Sequence, residues 1–336
     1  MNAILVKYVD RCPSWLLAPL RLIATLMAPG GSKGRLAILI YHRVHDKSSE
    51  YEPESFSVQT LDWQMRIVSR LFNLLSLQDA IERLALGTLP PRALAITFDD
   101  GYRDNLTLAA PILIKHGVPA TFFITCGGIS EGRLWNDRLV DSILRSQHLQ
   151  LRLQDLELPD FPIRTKAEKT AAISALLERL KVEPPRQQRL LLNQIIDRLE
   201  VSLDQRLILS EPEIRQLQSL GMTIGCHTMT HPMLSKVSPE FARQDILSSK
   251  VELERICGKP VTLFAYPYGK PDIHFEAIHE QIVAELGFAA AVSTAWGANS
   301  ATTARYRLKR FTPWDANPLT FFVRLLLNYR KRSTKD

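Results

Sequence analysis

Short apolar runs alternate with amphipathic segments in the first part of the chain, and this pattern predicts buried strands separated by helices. The runs "LAILIY" (36–41), "ALAITF" (93–98) and "PATFFIT" (119–125) are short and continuous and contain β-branched or aromatic residues, as strands buried on both faces do. The segment "NLTLAAPILIKHG" lies between the last two runs, and Gly117 stands where a helix would end. This order predicts a βαβ unit with parallel pairing.

The same alternation returns in the last third of the chain. Its predicted strands and helices are "MTIGCHT" (222–228), a helix around 239–256, "VTLFAYP" (261–267), a helix around 273–286, and "FAAAVST" (288–294). Repeated alternation of this kind predicts the α/β class, as an open sheet or a barrel.

Residues 130–220 interrupt the alternation. They are rich in Leu, Gln and Arg, helical in period and short of strand signals. "SEPE" (210–213) has the sequence of a capping box, and Gly221 ends the helix that it begins. We interpret this segment as a mostly helical insertion within one domain, residues 36–316, and not as a second independent domain.

The two ends of the chain form separate predicted segments, 1–35 and 317–336. "WLLAPLRLIATLMAP" (15–29) is apolar but too short to span a bilayer, and Pro19 and Arg21 interrupt it. A cleaved signal peptide would have an uninterrupted apolar stretch, so a cytoplasmic location, or a peripheral one on the inner membrane, is favoured over secretion. The segment is either a helix packed on the domain or an interfacial segment that, with the basic C-terminal helix and tail, contacts an anionic leaflet.

Composition excludes few classes of protein or partner. The chain has 336 residues, of which 46% are hydrophobic and 23% charged, and its formal net charge is +7. These are the proportions of a globular protein with a modest preference for anionic surfaces or substrates, and we expect no nucleic-acid partner. The four cysteines include no CxxC pair, so neither a disulfide framework nor a zinc knuckle is predicted.

Chemically suggestive residues follow three of the predicted strands. Asp99 and Asp100 come directly after "ALAITF", the pair His227 and His231 follows "MTIGC", and "FAYPYG" (264–269) runs from a strand into a Pro–Tyr–Gly turn. Residues at the carboxyl ends of parallel strands gather at one face of the sheet, where active sites lie. Two histidines four residues apart on a helical turn would face one metal ion.

Each of these features is weak evidence by itself, because adjacent acids are usually turn residues and an HxxxH pair is usually structural. Together they supply Asp, His and His, which with an open position for water make a hydrolytic metal site. The pair lacks the glutamate of the HExxH zinc proteases. Cys226 alternates away from His227 on the strand, and we exclude it as a ligand.

"TFDDGYRDN", "HTMTHPML" and "FAYPYG", in that order, resemble the motifs of the polysaccharide deacetylases with a NodB-like domain (carbohydrate esterase family 4). The resemblance covers roughly residues 36–128 and 220–312, and the insertion lies outside it. It implies a distorted (β/α) barrel that removes N-acetyl groups from amino sugars with one divalent metal ion. Zinc is the expected metal, and other divalent transition metals remain open.

The resemblance also implies roles for individual residues. Asp99 is the general base, and Asp100, His227 and His231 bind the metal. The backbone N–H of Tyr268 completes an oxyanion hole, and Pro267 and Tyr268 contact the substrate.

Two departures from the family pattern change the expected site. Many members carry an arginine where this chain has Ala265, and Arg310 in "LKRF" is a possible substitute that orients the base. The late Leu–x–His motif, which supplies the general acid, is absent, and His279 lies in a helix-like segment where a surface position is expected. We assign the general acid to His42 in "ILIYHRV", because a YH sequence ahead of the Asp–Asp motif resembles the deacetylase subgroup whose last motif has moved to the N-terminus, as in the biofilm poly-N-acetylglucosamine deacetylases.

The sequence therefore predicts a metal-dependent deacetylase for an N-acetylated sugar of a bacterial surface polysaccharide or its lipid-linked precursor. The alternatives are a related amidohydrolase or deformylase with a non-polymeric substrate, and a catalytically inactive carbohydrate-binding or assembly protein. The insertion is either a cap that places Trp135 of "LWND" near the substrate or a remote bundle. The remaining candidate histidines, His116, His148 and His274, are expected on solvated faces.

Overall fold

A computed structural model describes residues 17–46 and 56–330. Residues 1–16 of the predicted N-terminal segment and residues 331–336 of the predicted basic tail lie outside the described part.

The main sheet is parallel throughout, which is the pairing that the βαβ pattern predicts. Its strands run in the order β1-β5-β6-β9-β10-β11, and β4 joins it beside β5. Two further strand pairs are short: β2 with β3, and β7 with β8. The strands of the described part are β1 Leu36–Tyr41, β2 Val44–His45, β3 Phe56–Ser57, β4 Asn73–Leu74, β5 Ala93–Phe98, β6 Ala120–Ile124, β7 Gln150–Leu151, β8 Phe161–Pro162, β9 Thr223–Cys226, β10 Leu263–Ala265 and β11 Ala290–Val292.

Amphipathic helices connect and cover these strands. The α-helices of the described part are α1 Ala18–Met27, α2 Val58–Leu71, α3 Leu77–Leu86, α4 Ala110–Lys115, α5 Gly127–Glu131, α6 Trp135–Arg145, α7 Lys166–Leu180, α8 Pro185–Asp197, α9 Glu211–Ser219, α10 Pro239–Cys257, α11 Ala277–Glu285 and α12 Pro318–Arg330. A π-helical turn, Asn105–Ala109, leads into α4, and 3₁₀ turns occupy Gly31–Lys33, Gln154–Leu156 and Leu234–Lys236.

The sheet curls so that its two end strands approach each other. Leu308 bridges to Val292 of β11, and Phe311 bridges to Leu39 of β1. The segment between these bridges therefore lies across the gap between the two sheet ends. These isolated bridges are a partial closure, and the predicted distorted (β/α) barrel is confirmed.

The insertion has its own apolar cluster, built around residues such as Leu139, Leu176 and Ile195. It is nevertheless attached to the turn that follows β5. Leu209 N–H donates to the carbonyl of Gly101 at 3.0 Å, and Arg103 N–H donates to the carbonyl of Leu207. The returning end of the insertion therefore lies at the carboxyl end of the sheet.

The capping box predicted at "SEPE" is present at the start of α9, and it marks the return of the chain from the insertion. The terminal helices α1 and α12 pack against each other. Within residues 17–46 and 56–330, every helix is too short or too polar to cross a bilayer.

Candidate active site

Asp99 and Asp100 stand at the point where β5 ends. Asp99 N–H donates to the carbonyl of Tyr41 at 2.9 Å, which continues the pairing between β5 and β1 by one residue. Asp100 then takes a left-handed conformation with φ of +74°, which is uncommon for a residue with a side chain. The backbone turn separates the two carboxylates, so each has its own partners.

Asp100 meets both histidines of the HTMTH segment. Its Oδ1 lies 3.4 Å from Nε2 of His227 and 3.4 Å from Nε2 of His231, and one potential ligand atom from each of the three residues lies within 4.8 Å of the other two. The histidines do not lie on a helical turn, as their spacing had suggested. They lie on a loop after β9 in which Thr228 and His231 have φ of +67° and +55°.

The protonation pattern of the histidines suits a metal ligand set. Nδ1 of His227 lies 2.7 Å from the carbonyl of Ala265, so Nδ1 carries the proton and Nε2 presents its lone pair. Asp100 offers a carboxylate oxygen to the same point. Two imidazole nitrogens and one carboxylate oxygen are donors that zinc and related divalent ions accept, so the residues fit the ion that the sequence implies.

A buried acid on α10 holds the loop between the two histidines. Asp245 accepts hydrogen bonds from Met229 N–H at 2.8 Å, from Thr230 N–H at 3.1 Å and from the Thr230 hydroxyl at 2.6 Å. Burial raises its pKa, while these donors oppose the rise. Sequence analysis missed Asp245, although an acid on the apolar side of a predicted helix is a signal that could have drawn attention to it.

Arg310 binds Asp99 through both guanidinium ends. Its Nη1 and Nη2 donate to Oδ1 and Oδ2 of Asp99 at 2.7 Å each, and its Nε donates to the carbonyl of Ser293 at 2.8 Å. The Arg310 side chain is fully buried. Sequence analysis had suggested Arg310 as a partner of Asp99, and the two side chains are in contact.

The charges around Asp99 and Asp100 determine whether these two carboxylates are protonated. Burial would raise the pKa of Asp99, but the Arg310 charge, followed by His227 and His42, leaves it below its ordinary value. Burial would also raise the pKa of Asp100, and the two histidines beside it bring that pKa well below its ordinary value. Both carboxylates are therefore ionised at neutral pH.

His42 leaves the sheet beside Asp99. Tyr41 pairs with Phe98 in the parallel register of β1 and β5, so the residues that follow these two are neighbours. The His42 carbonyl accepts a hydrogen bond from Asn105 Nδ2 at 2.8 Å, and a charge on His42 is among the influences that lower the pKa values of Asp99 and Asp100. The structure thus brings His42 to the side of the sheet that holds the acids.

The Pro267–Gly269 turn lies against the histidines. The ring of Tyr268 is 5.0 Å from that of His231, centroid to centroid, and Tyr268 has φ of +59°. No hydrogen bond within the described residues uses its N–H. Gly269 is required by space, because a Cβ there would lie 2.6 Å from Cγ2 of Thr294.

Trp135, the first residue of α6, reaches the same turn. Burial raises the pKa of Tyr268, and Trp135 is a neighbour that partly opposes the rise. Neither Tyr268 Oη nor Trp135 Nε1 completes a hydrogen bond with the described residues. The insertion therefore begins at the mouth of the site. The Tyr102 hydroxyl donates a hydrogen bond to Asp137 on the first helix of the insertion at 3.0 Å. Burial raises the pKa of Asp137 to about 7.

Of the other histidines, only His148 is exposed as expected, and His116 is half-buried with its Nε2 3.0 Å from Oδ1 of Asp62. His279 is buried, not exposed, because its Nδ1 accepts the N–H of Glu276 and so caps the start of α11. His274 is half-buried against Tyr268, with ring centroids 5.5 Å apart, and does not lie on a solvated face. The regular spacing of polar residues in these segments could not show contacts made across the fold.

Comparisons with known proteins identify the family and the fold. A model of the polysaccharide deacetylase family matches residues 87–291. The Bacillus subtilis (strain 168) protein YxkH, named as a polysaccharide deacetylase, is 20% identical over 277 residues, which make up 82% of this chain and 70% of YxkH.

Two solved structures show the same fold at low sequence identity. The deacetylase PplD of Streptococcus pyogenes, in complex with acetate, is 20% identical with a TM-score of 0.60, covering 88% of this chain and 99% of PplD. IcaB from Ammonifex degensii is 19% identical with a TM-score of 0.57, covering 90% of this chain and 99% of IcaB. The family match spans more than half of the chain, and the chain is therefore a member of the polysaccharide deacetylase family, a hydrolase of the deacetylating kind.

Proposed function

We propose that this protein is a metal-dependent deacetylase that removes N-acetyl groups from an amino sugar of a bacterial surface polysaccharide or its lipid-linked precursor. The observation that carries the proposal is the paired arrangement of the two acids. Asp99 is held by Arg310, and Asp100 lies beside it with His227 and His231. Asp99 thereby stays outside the ligand set and can transfer a proton, while Asp100 completes the ligand set.

Asp100, His227 and His231 would hold the metal, and zinc suits three protein ligands of this kind with an open position. A divalent ion bound there would supply Lewis acidity, polarising the acetamide carbonyl and lowering the pKa of a coordinated water. The Ala265 carbonyl fixes the ring of His227, and Asp245 fixes the loop that carries His231. Such supporting contacts keep ligands in place before the ion arrives.

Asp99 acts as the general base. It is ionised at neutral pH because Arg310 lowers its pKa against the effect of burial, so it can accept the proton of the attacking water. Arg310 also fixes the direction of the carboxylate, since a two-point contact with a planar guanidinium leaves little freedom of rotation.

His42 acts as the general acid. The leaving nitrogen must be protonated because an amide anion is a prohibitively poor leaving group, and an imidazolium titrates in the required range. His42 and Asp99 leave neighbouring strands side by side, which supports a division of labour in which one removes a proton and the other delivers one.

The Tyr268 N–H stabilises the oxyanion that forms when water adds to the carbonyl. It has no partner within the described part of the chain, as a donor kept for a ligand would. Pro267 and Tyr268 form one wall for the acetamido group. Trp135 lies beside them at the start of the insertion and offers an aromatic face to the sugar.

Acetate release from N-acetylglucosamine oligomers tests the reaction. We expect release that stops when a chelator removes the metal and returns when zinc is added, and an Asp99→Asn variant that binds zinc but releases about 10²–10⁴-fold less acetate, since that is what general-base catalysis contributes. Release that survives chelation would contradict the metal-dependent proposal. Release from a formylated or monomeric substrate only would favour the related amidohydrolase.

Metal content tests the ligand assignment separately. His231→Ala is expected to lose the bound metal, whereas His148→Ala, a matched change at an exposed histidine, keeps it. Equal metal stoichiometry in the two variants would refute the ligand set.

We further propose that the protein contacts an anionic membrane surface as a peripheral, cytoplasmic-side enzyme. Leu26 on α1 is 76% exposed and Leu327 on α12 is 56% exposed. The exposed Lys33 follows α1, and the exposed Arg330 is the last residue of α12. Apolar side chains beside basic ones suit the headgroup region of an anionic leaflet.

Flotation with phosphatidylglycerol-containing vesicles tests this contact. The wild type is expected to float at low salt, and Leu26→Glu with Leu327→Glu to remain at the bottom. Leu190→Glu, at a leucine 67% exposed on the insertion, is the control and is expected to float. A wild type that stays at the bottom would remove the idea.

A further inference from the structure

A pocket lies beside the candidate active site, between the insertion and the core. Its volume is about 370 Å³, within the usual range for small-ligand sites. The first turns of α6 and α8 form one side, and Met229 and Thr230 of the loop between the two metal-binding histidines form the other. Trp135 belongs to its wall as well as to the neighbourhood of Tyr268.

The charge of this pocket is strongly one-sided. Four arginines line it, Arg133, Arg138, Arg186 and Arg189, with Glu131 as the single acid of its lining. Glu131 pairs with Arg189 and lies 3.8 Å from Arg138. Arg186 is exposed and has no ion pair within the described residues. An excess of guanidinium groups in a concave site attracts an anion.

A buried arginine points to a specific ligand and not merely to a basic surface. Arg133 is only 4% exposed. Its Nη1 pairs with Asp141, but its Nε and Nη2 are buried without a hydrogen-bond partner in the described part of the chain. Leaving buried, charged donors unsatisfied is costly, and two parallel N–H groups of one guanidinium match the oxygens of a phosphate or a carboxylate.

The pocket also shares a wall with the metal ligands. Thr125 lines it, its hydroxyl donates to the carbonyl of His227 at 3.1 Å, and its N–H donates to the carbonyl of Asp100 at 3.3 Å. Thr125 therefore joins the wall of the pocket directly to the backbone that carries two of the proposed ligands.

We propose that this pocket is an anion subsite that binds a phosphate or carboxylate group carried by the glycan substrate. The inference rests on the proposed function for its catalytic meaning, because the bound anion positions a substrate only if the adjacent centre deacetylates it. Arg133 and Arg186 hold the anion, and Trp135 lies between them and the reacting sugar. The shared chemistry is an oxyanion, whose source is either a sugar phosphate or an acidic sugar.

Calorimetric titration of the full chain with pyrophosphate and with glucuronate tests the subsite. The metal is removed beforehand by a chelator, so that the anions cannot bind at the metal ligands. We expect one anion bound per chain, and a Kd that is about tenfold higher in Arg186→Gln, since a charge-assisted hydrogen bond contributes about 1.4 kcal/mol. Arg133→Gln is expected to weaken binding at least as much.

The control is Arg215→Gln, at an exposed arginine outside this pocket, and it is expected to bind as the wild type does. Because Arg133 is buried, Arg133→Gln is checked for folding by circular dichroism. If Arg133→Gln is unfolded, the test rests on Arg186→Gln alone. Binding of pyrophosphate only, or of glucuronate only, supports the subsite and identifies the source of the anion.

The subsite is overturned if neither anion binds, or if Arg186→Gln binds as tightly as Arg215→Gln. The reaction itself is tested independently, because Asp99→Asn is expected to retain anion binding. Anion binding without acetate release would refute the proposed function, but the pocket would still be an anion-binding site.

Discussion

Arg310 and Asp99 face each other across 211 residues of chain and are joined by two hydrogen bonds of 2.7 Å. The contact is almost completely buried on both sides. It makes the protonation of Asp99, the proposed base, depend on a segment that bridges the two ends of the sheet.

Replacing Arg310 by Gln is expected to shift the acidic limb of the kcat/KM profile to higher pH. Asp99 accepts a proton only when ionised, Arg310 lowers its pKa, and a neutral side chain would let that pKa rise. The variant is also expected to lose about 3–5 kcal/mol in free energy of unfolding at neutral pH, because the buried carboxylate is left without its partner. The loss shrinks at acidic pH, where Asp99 is protonated.

The matched control for that experiment is Arg307→Gln, three residues earlier in the same segment, where the arginine pairs with Glu280 and Asp272 near the surface. Its pH profile is expected to match that of the wild type. An unchanged acidic limb in Arg310→Gln would show that Arg310 does not set the pKa of the base.

Removing Asp245 is expected to weaken metal binding although Asp245 is not among the proposed ligands. Asp245→Ala leaves Met229 and Thr230 without their acceptor, so the loop carrying His231 loses its fixed conformation. Supporting contacts of this kind contribute roughly 10–100-fold to metal affinity. Zinc competition with a chromophoric chelator measures the change, and Glu240→Gln on the same helix is the control; equal affinity in the two variants would contradict the positioning role.

Changing His42 to Ala is expected to separate metal binding from turnover. The variant keeps the three ligands, so its zinc content should equal that of the wild type, while kcat falls about 10²–10⁴-fold and the basic limb of the pH profile changes. His45→Ala, three residues away, serves for comparison. Wild-type turnover in His42→Ala would transfer the role of the acid to His45 or to a water.

Trp135 is expected to affect affinity for sugar chains more than turnover. Trp135→Ala removes an aromatic face at the mouth of the site, and the loss of one sugar-stacking contact of about 1 kcal/mol corresponds to a roughly five-fold rise in KM for oligomers. Trp314→Ala, at a tryptophan that is 51% exposed and packs against Trp296, is expected to leave KM unchanged. Equal KM values for the wild type and Trp135→Ala would indicate that the insertion does not touch the substrate.

The sequence predicted the sheet well because its strands are short, continuous apolar runs. The strands Leu36–Tyr41 and Ala93–Phe98 have the bounds that the pattern gives. The later strands are shorter than their runs, because the ladder stops where the backbone turns: His227 and Pro267 belong to loops, not to β9 and β10. A hydrophobic pattern shows which residues are apolar but not where pairing ends.

The sequence pattern could not predict the contacts of the site that join distant parts of the chain. The place of Arg310 beside Asp99 depends on how the curled sheet is bridged, and that of Asp245 depends on how α10 packs against a loop. His279 shows the same limit, because a helix-like pattern predicted exposure while a cap at the start of α11 buries the ring. Local periodicity carries no information on these long-range partners.

The attachment of the insertion to the Gly101–Arg103 turn has a consequence for how this enzyme can diversify. The returning end of the insertion bonds to the backbone of that turn, and its first helix contacts the turn through the Tyr102 hydroxyl and Asp137. The apolar cluster around Leu139 and Ile195 belongs to the insertion alone. Substitutions or length changes inside the cluster can therefore reshape the surface of the insertion without displacing Asp99 or Asp100. Substrate range and hydrolytic chemistry can evolve as two nearly independent traits, carried by different stretches of one chain.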